Sequence, residues 1–199
     1  MENIATTGKN EGGNGIAAGG FAGAEAARLW PQFQPGETVL LAARPHQGKT
    51  LLALALAAQA AQAGPGGVFL TGEESAADVA AQLARMGLVQ AGVKTLSRDR
   101  IGTADVLEQI ESAAPGTLVA VDYLQGLTGG PRGAGVAAMR RTARARGVAL
   151  LCLCQVLPGA EGRMPTAQDL RSADEFGLGQ FDRLIALFDG RCEITALTH

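Results

Sequence analysis

Aromatic residues are scarce in this chain of 199 residues: one Trp, one Tyr and six Phe, 4% in all. A core with so few rings relies on Ala, Leu and Val, so small side chains set how closely its elements pack. Cysteine is also rare. Three residues cannot close a disulfide framework, which points to a reducing compartment. Cys152 and Cys154 stand two apart in an apolar run, on one face of a strand, and read as buried inert thiols. A metal site would need further ligands. Charged residues make up 18%, below the usual ~25%. The balance of 17 Lys+Arg against 19 Asp+Glu gives a net charge of −2, which excludes a strongly basic protein but not a local basic patch. No apolar run reaches the ~20 residues of a membrane span; the longest extends from Leu51 to Ala63. The N-terminus has no apolar stretch of the kind that marks a secretory signal. These absences predict a soluble, cytoplasmic protein with no membrane partner.

Glycine is plentiful, at 28 residues of 199, about double its usual ~7% share. The length suits one domain, by the prior of ~100–200 residues each. Residues 1–28 are expected to lie outside that domain, which is assigned to 29–199. The stretch GKNEGGNGIAAGG shows no periodicity and reads as a flexible tail, up to about residue 20. Phe21 to Trp30 has the spacing of a short helix with an apolar face of Phe21, Ala24, Leu29 and Trp30. Such a helix packs either on its own domain or on a neighbouring subunit.

Beyond Pro35-Gly36 the pattern alternates. Apolar runs at Thr38–Ala43, Val68–Thr71, Leu118–Val121 and Ala149–Gln155 read as strands buried on both faces. Between them, Lys49–Ala63, Glu74–Met86, Thr103–Ala113 and Ala134–Arg146 read as helices, and residues 87–96 hold a short third strand or none. Two closing strands, Leu184–Phe188 and Cys192–Leu197, flank the turn Asp189-Gly190. Strands alternating with helices predict an α/β three-layer sandwich around a mostly parallel sheet.

The strongest chemical signal lies between the first strand and the first long helix. Ala43, Arg44, Pro45, His46, Gln47, Gly48, Lys49 and Thr50 match the phosphate-loop pattern G-x-x-x-x-G-K-[S/T], with Ala in place of the first Gly, and Leu51 continues into the helix. Gly48 lets backbone amides approach phosphate oxygens at a helix N-terminus, where the dipole also favours negative charge. Lys49 suits the β- and γ-phosphates of a nucleotide such as ATP, and the Thr50 hydroxyl suits Mg2+. Pro45 has no N–H to donate and stiffens the loop.

Three further elements fit the same chemistry. Asp122 closes an apolar strand, where a carboxylate faces the ligand crevice of a parallel sheet and can hold Mg2+; its plainer role is a loop or helix-capping Asp. Glu73 and Glu74 follow another strand. They either complement a helix N-terminus or supply, from one of the two, a base that polarises an attacking water. Gln155 ends ALLCLCQ, either as a sensor of the γ-phosphate or as a satisfied turn amide. Arg132, Arg140, Arg141, Arg144 and Arg146 share a stretch without a carboxylate. They form a solvated helix face or a surface for the phosphates of single-stranded DNA.

Together these segments resemble a known family. AARPHQGKT is similar to the nucleotide loop of DnaB-type replicative helicase motors, VDYLQGL to their Walker B segment, and CQV to their γ-phosphate-sensing Gln motif. Asp169-Leu170-Arg171-Ser172 followed by Gln180-Phe181-Asp182-Arg183-Leu184-Ile185 resembles their D-L-R-x-S … D-x-D-x-I/V stretch. GEES is similar to the matching segment of RadA recombination ATPases, which belong with KaiC to the same RecA-like superfamily. The resemblance covers roughly residues 29 to 197. It implies a RecA-like P-loop ATPase that acts on DNA in replication or recombination, as a homo-oligomer and often a hexameric ring. It assigns Lys49 and Thr50 to phosphate and Mg2+, Asp122 to Mg2+, Glu73 to the base and Gln155 to the sensor. It also leads one to expect an N-terminal recruitment domain, where this sequence has a Gly-rich stretch, and a K-x-R-x-G segment after the last strands. No Lys or Arg follows Arg191. Either Arg191 or another arginine therefore substitutes, or hydrolysis is slow. The alternative to the motor is a regulatory nucleotide-binding module that switches partners without unwinding DNA.

Overall fold

Every residue of the first strand, β1 (Thr38–Ala43), is buried. Its alternating side chains serve two separate cores, since successive residues of a strand point to opposite faces. Leu40 and Ala42 enter one cluster, and Val39, Leu41 and Ala43 the other. The computed structural model describes residues 13–157, 162–170 and 173–197, with only the backbone of 13–19. Arg171 and Ser172 of the D-L-R-x-S stretch, and residues 1–12 of the expected tail, lie outside the described residues.

Six more strands follow: β2 (Gly67–Thr71), β3 (Lys94–Ser97), β4 (Leu118–Asp122), β5 (Ala149–Gln155), β6 (Arg183–Phe188) and β7 (Arg191–Ala196). They form one sheet in the order β3-β2-β4-β5-β1-β6-β7. All neighbours are parallel except the β6–β7 hairpin. The helices are α1 (Gly13–Leu29), α2 (Lys49–Ala63), α3 (Ala76–Arg85), α4 (Thr103–Ser112), α5 (Arg132–Arg146) and the single turn α6 (Ala173–Phe176). Side chains of α1, α2 and α3 share one core with the sheet; those of α4 and α5 share the other. The result is the expected α/β three-layer sandwich.

Helix α2 is apolar on nearly all sides, as suits a helix covered all round. Ala22, Ala26 and Leu29 of α1 are buried in the same cluster as α2, which places α1 as a second cover. The sheet reaches α2 equally closely. A Cβ on Gly67 would lie 1.8 Å from the carbonyl oxygen of Ala57, so only glycine admits this approach of β2 to the helix backbone.

Several boundaries differ from the sequence reading. Helix α1 starts at Gly13 rather than Phe21, although glycine is a poor helix former. Helix α3 starts at Ala76, because Ser75 caps it by accepting the Asp78 N–H at 3.2 Å. Glu73 and Glu74 therefore belong to the loop after β2. Helix α5 begins at Arg132, and α6 had no counterpart in the pattern. Cys152 and Cys154 are fully buried in one core, as inert thiols require. Burial, with Cys154 adjacent, pushes the Cys152 thiol far up; burial and Glu25 push Cys192 up to about 12. No helix among the described residues is long and apolar enough to cross a membrane.

Replacing Gly67 by Ala is expected to cost at least about 3 kcal/mol, through overpacking against rigid backbone. Gly23→Ala, at an α1 position where a Cβ meets nothing within 4 Å, should instead stabilise by about 0.5–1 kcal/mol. Urea unfolding of both variants checks the pair.

Candidate functional site

The carboxyl ends of β2, β4, β5 and β1 lie side by side, and each delivers one of the residues singled out above. After β1, the chain turns through Arg44, Pro45, His46 and Gln47 to Gly48, which caps α2 with a φ of 87°. That left-handed conformation favours glycine, and it turns the chain so that the first amides of α2 face outward. His46 also adopts positive φ, at 62°, and is exposed. Ala43, the first position of the loop pattern, is fully buried and pairs in register with Gln155. The loop from Arg44 to Leu51 lines a cavity of about 740 Å3, shared with Glu73, Glu74 and Gln155. That volume falls in the range of ~300–1,000 Å3 typical of small-molecule sites.

Lys49, which lines the cavity, belongs to a buried charge pair. Asp122 is 1% exposed and Lys49 8%. Lys49 Nζ donates to Asp122 Oδ1 at 3.1 Å, and Thr50 Oγ1 donates to Asp122 Oδ2 at 2.8 Å. Each carboxylate oxygen is thus answered by a different donor, which a buried carboxylate needs. The peptide between Asp122 and Tyr123 is cis. The Tyr123 ring stands 6.0 Å from Lys49 Nζ, and Gly126 leaves room for it.

The two glutamates differ in their neighbours. Both Glu74 oxygens accept from Gln82 Nε2, at 2.8 Å each. Glu73 has no such partner among the described residues. Burial raises the pKa of Glu73 above the ordinary carboxylate value; the Asp122 charge adds to the rise and Lys49 opposes it. Burial also raises that of Glu74, against the Gln82 hydrogen bond. The loop that carries them is held by Thr71, whose Oγ1 accepts the N–H groups of Glu73 and Glu74 at 3.1 and 3.2 Å. The Gly72 N–H donates to the Asp122 carbonyl at 3.0 Å, which ties this loop to the end of β4.

The arginines of α5 lie away from this cluster, and most are engaged. Arg140 and Arg144 both pair with Asp182, at 2.8 and 3.2 Å, and Arg132 pairs with Glu175. Among the described residues Arg141 and Arg146 make no ion pair. The stretch without carboxylates in sequence is therefore largely neutralised in space, by acids some 40 positions further along the chain.

Sequence reasoning missed the supports of the site. Thr71 looked like a strand residue, and Gln82 like the polar face of a helix. Asp189, in the β6–β7 turn, donates its N–H to Gln47 Oε1 at 2.9 Å and so fastens that turn to the phosphate loop. Phe21, from α1, also lines the cavity.

Known proteins share this architecture. A solved structure of an ATPase domain matches 83% of the chain and 82% of its own length, with a TM-score of 0.62 and 17% identity. The structure of a DnaB-like replicative helicase matches 83% of this chain and 55% of its own, with a TM-score of 0.64 and 15% identity. The chain has the RecA-like P-loop ATPase fold. The flagellar accessory protein FlaH from Methanocaldococcus jannaschii matches 81% of this chain and 77% of its own, with a TM-score of 0.53 and 10% identity. In sequence, the DNA repair protein RadA of Mycobacterium tuberculosis is 34% identical over 132 residues, 61% of this chain. The match takes up 27% of RadA, so the chain spans about a quarter of the length of the curated relatives it matches. No protein-family model matches the chain.

Thr71→Val should leave two amides at the site without an acceptor, at a cost of about 1–3 kcal/mol. Hydrogen exchange should then speed up at Glu73 and Glu74 while β4 keeps its protection.

Proposed function

We propose that this chain binds ATP with Mg2+ at the phosphate loop and hydrolyses it. The observation that carries this reading is the convergence of Lys49, Thr50 and Asp122 within hydrogen-bond distance, with Glu73 on the same cavity. The donor set suits Mg2+. Thr50 and Asp122 offer hard oxygens, and the described residues hold no cluster of three His, Cys, Asp or Glu that would cage a metal alone. Magnesium takes one or two protein oxygens and completes its shell with phosphates and water. Bound there, Mg2+ would neutralise charge on the β- and γ-phosphates.

The chain's own groups supply the rest. The amides at the start of α2 cradle phosphate oxygens, and Lys49 turns from Asp122 toward them. Glu73 accepts the proton of the attacking water; burial, which raises its pKa, makes it a better base than an ordinary carboxylate. Glu74 stays bound to Gln82 and positions the loop. Gln155, at the end of β5, meets the γ-phosphate side of the cavity and couples its loss to that strand. Similarity to RadA, a DNA repair protein, supports an ATPase that acts on DNA; the motif resemblance to DnaB-type motors extends this to replication or recombination and to a ring of subunits.

The ion pairs of Arg132, Arg140 and Arg144 favour a second reading. In it the same site binds ATP, turns over slowly and switches a protein partner. ATP turnover with and without single-stranded DNA, read beside oligomer mass, separates the two. DNA-stimulated turnover in a ring supports the motor; tight ATP binding with turnover indifferent to DNA supports the switch.

Two variants test the site itself. Lys49→Ala should weaken ATP binding by about 10–100-fold, the worth of one hydrogen bond to a charged group. Glu73→Gln should retain ATP but lose turnover by about 10²–10⁴-fold. In the unmodified protein kcat/KM should fall as pH drops through a midpoint above 4.5, because the base works only when ionised and its pKa is raised.

A further inference from the structure

The phosphate loop accounts for part of the cavity lining. Two more parts of the chain, which sequence motifs do not connect to it, line the same cavity. Phe21 projects from α1 and the turn Asp189-Gly190 closes the β6–β7 hairpin; both line the same cavity as Lys49. Of the described residues that line it, Phe21 alone carries a phenyl ring. The ring is half-buried, resting against the hairpin turn: a Cβ on Gly190 would lie 3.7 Å from Phe21 Cδ2. The turn in its own right is tied to the phosphate loop by the Asp189–Gln47 hydrogen bond of 2.9 Å. Nearby, Arg44 lies 5.1 Å over the Phe188 ring, and its Nε is buried with no hydrogen-bond partner.

We infer that Phe21 is the platform for the nucleobase, so that helix α1 forms part of the nucleotide site. This rests on the phosphate-loop reading given above. A base needs a flat apolar surface in a cavity that also holds cations and amides, and Phe21 supplies it in the cavity that Gly48 and Lys49 line. Aromatic rings stack with any base, since every base has a π-face. The platform therefore adds affinity for nucleotides in general rather than for adenine alone. It also couples α1 to the ligand: a nucleotide that stacks on Phe21 stabilises the docked helix, whereas a bare phosphate chain does not.

The test compares MgATP with inorganic tripolyphosphate and Mg2+, by calorimetry, on the full chain. Phe21→Ala should weaken ATP binding about tenfold and leave tripolyphosphate binding unchanged. Phe21→Trp should keep ATP affinity, and its indole fluorescence should respond to ATP but not to tripolyphosphate. ATP, and not tripolyphosphate, should slow hydrogen exchange in α1. Unchanged ATP affinity in Phe21→Ala would overturn the platform. Equal weakening of both ligands would overturn it too, because Phe21 would then act through the fold alone. If the unmodified protein bound tripolyphosphate but gained nothing from the nucleoside, the base platform would fail while the phosphate loop stood. If it bound neither ligand, the phosphate-loop reading would fail and take the platform with it.

Discussion

A carboxylate with almost no exposure cannot stand alone in a protein interior, and Asp122 does not. Its two oxygens are met by Lys49 and Thr50, which lie 73 and 72 positions earlier in the chain. The pairing needs β4 and the start of α2 at one height on the sheet. With β5 between β4 and β1, that height follows from the parallel register Leu118 to Ala149 and Thr38 to Leu150. The sheet order and the site are thus one constraint seen twice. Shifting β4 by one residue would turn Asp122 to the other face and strand the Lys49 ammonium.

The parts of the fold set by local chemistry were legible in the sequence. Strands β1 and β5 and helix α2 have the bounds their apolar runs suggest, because a run buried on both faces leaves little room for another reading. Helix α1 was legible only in part. Its glycines oppose a helix, and what favours it is the cover it gives α2 through Ala22, Ala26 and Leu29. The candidate site shows the same division. Gly48, Lys49, Thr50 and Asp122 stand out because their chemistry is local to a strand end. The difference between Glu73 and Glu74 does not, since it depends on Gln82, a full helix start further along. Likewise the arginines of α5 seemed unopposed until Asp182 and Glu175 came round to meet them.

Scarcity of aromatics has a structural counterpart. Alanines in α2 permit α1 on one side and the backbone of β2 on the other to come close, and the Gly67–Ala57 approach is the extreme case. Of the few rings present, Phe69, Phe176 and Phe181 are fully buried. Phe21 is only half-buried: it packs at the margin of the core shared with α2 and also lines the cavity beside the hairpin turn.

The hydrogen bond between Gln47 and Asp189 ties the phosphate loop to a hairpin whose outer strand, β7, ends the sheet and is largely solvent-facing. A sheet's central strands resist displacement from both sides, but its last strand is held from one. The loop that reads as the centre of the chemistry is therefore anchored, through a single hydrogen bond, to the least restrained element of the rim.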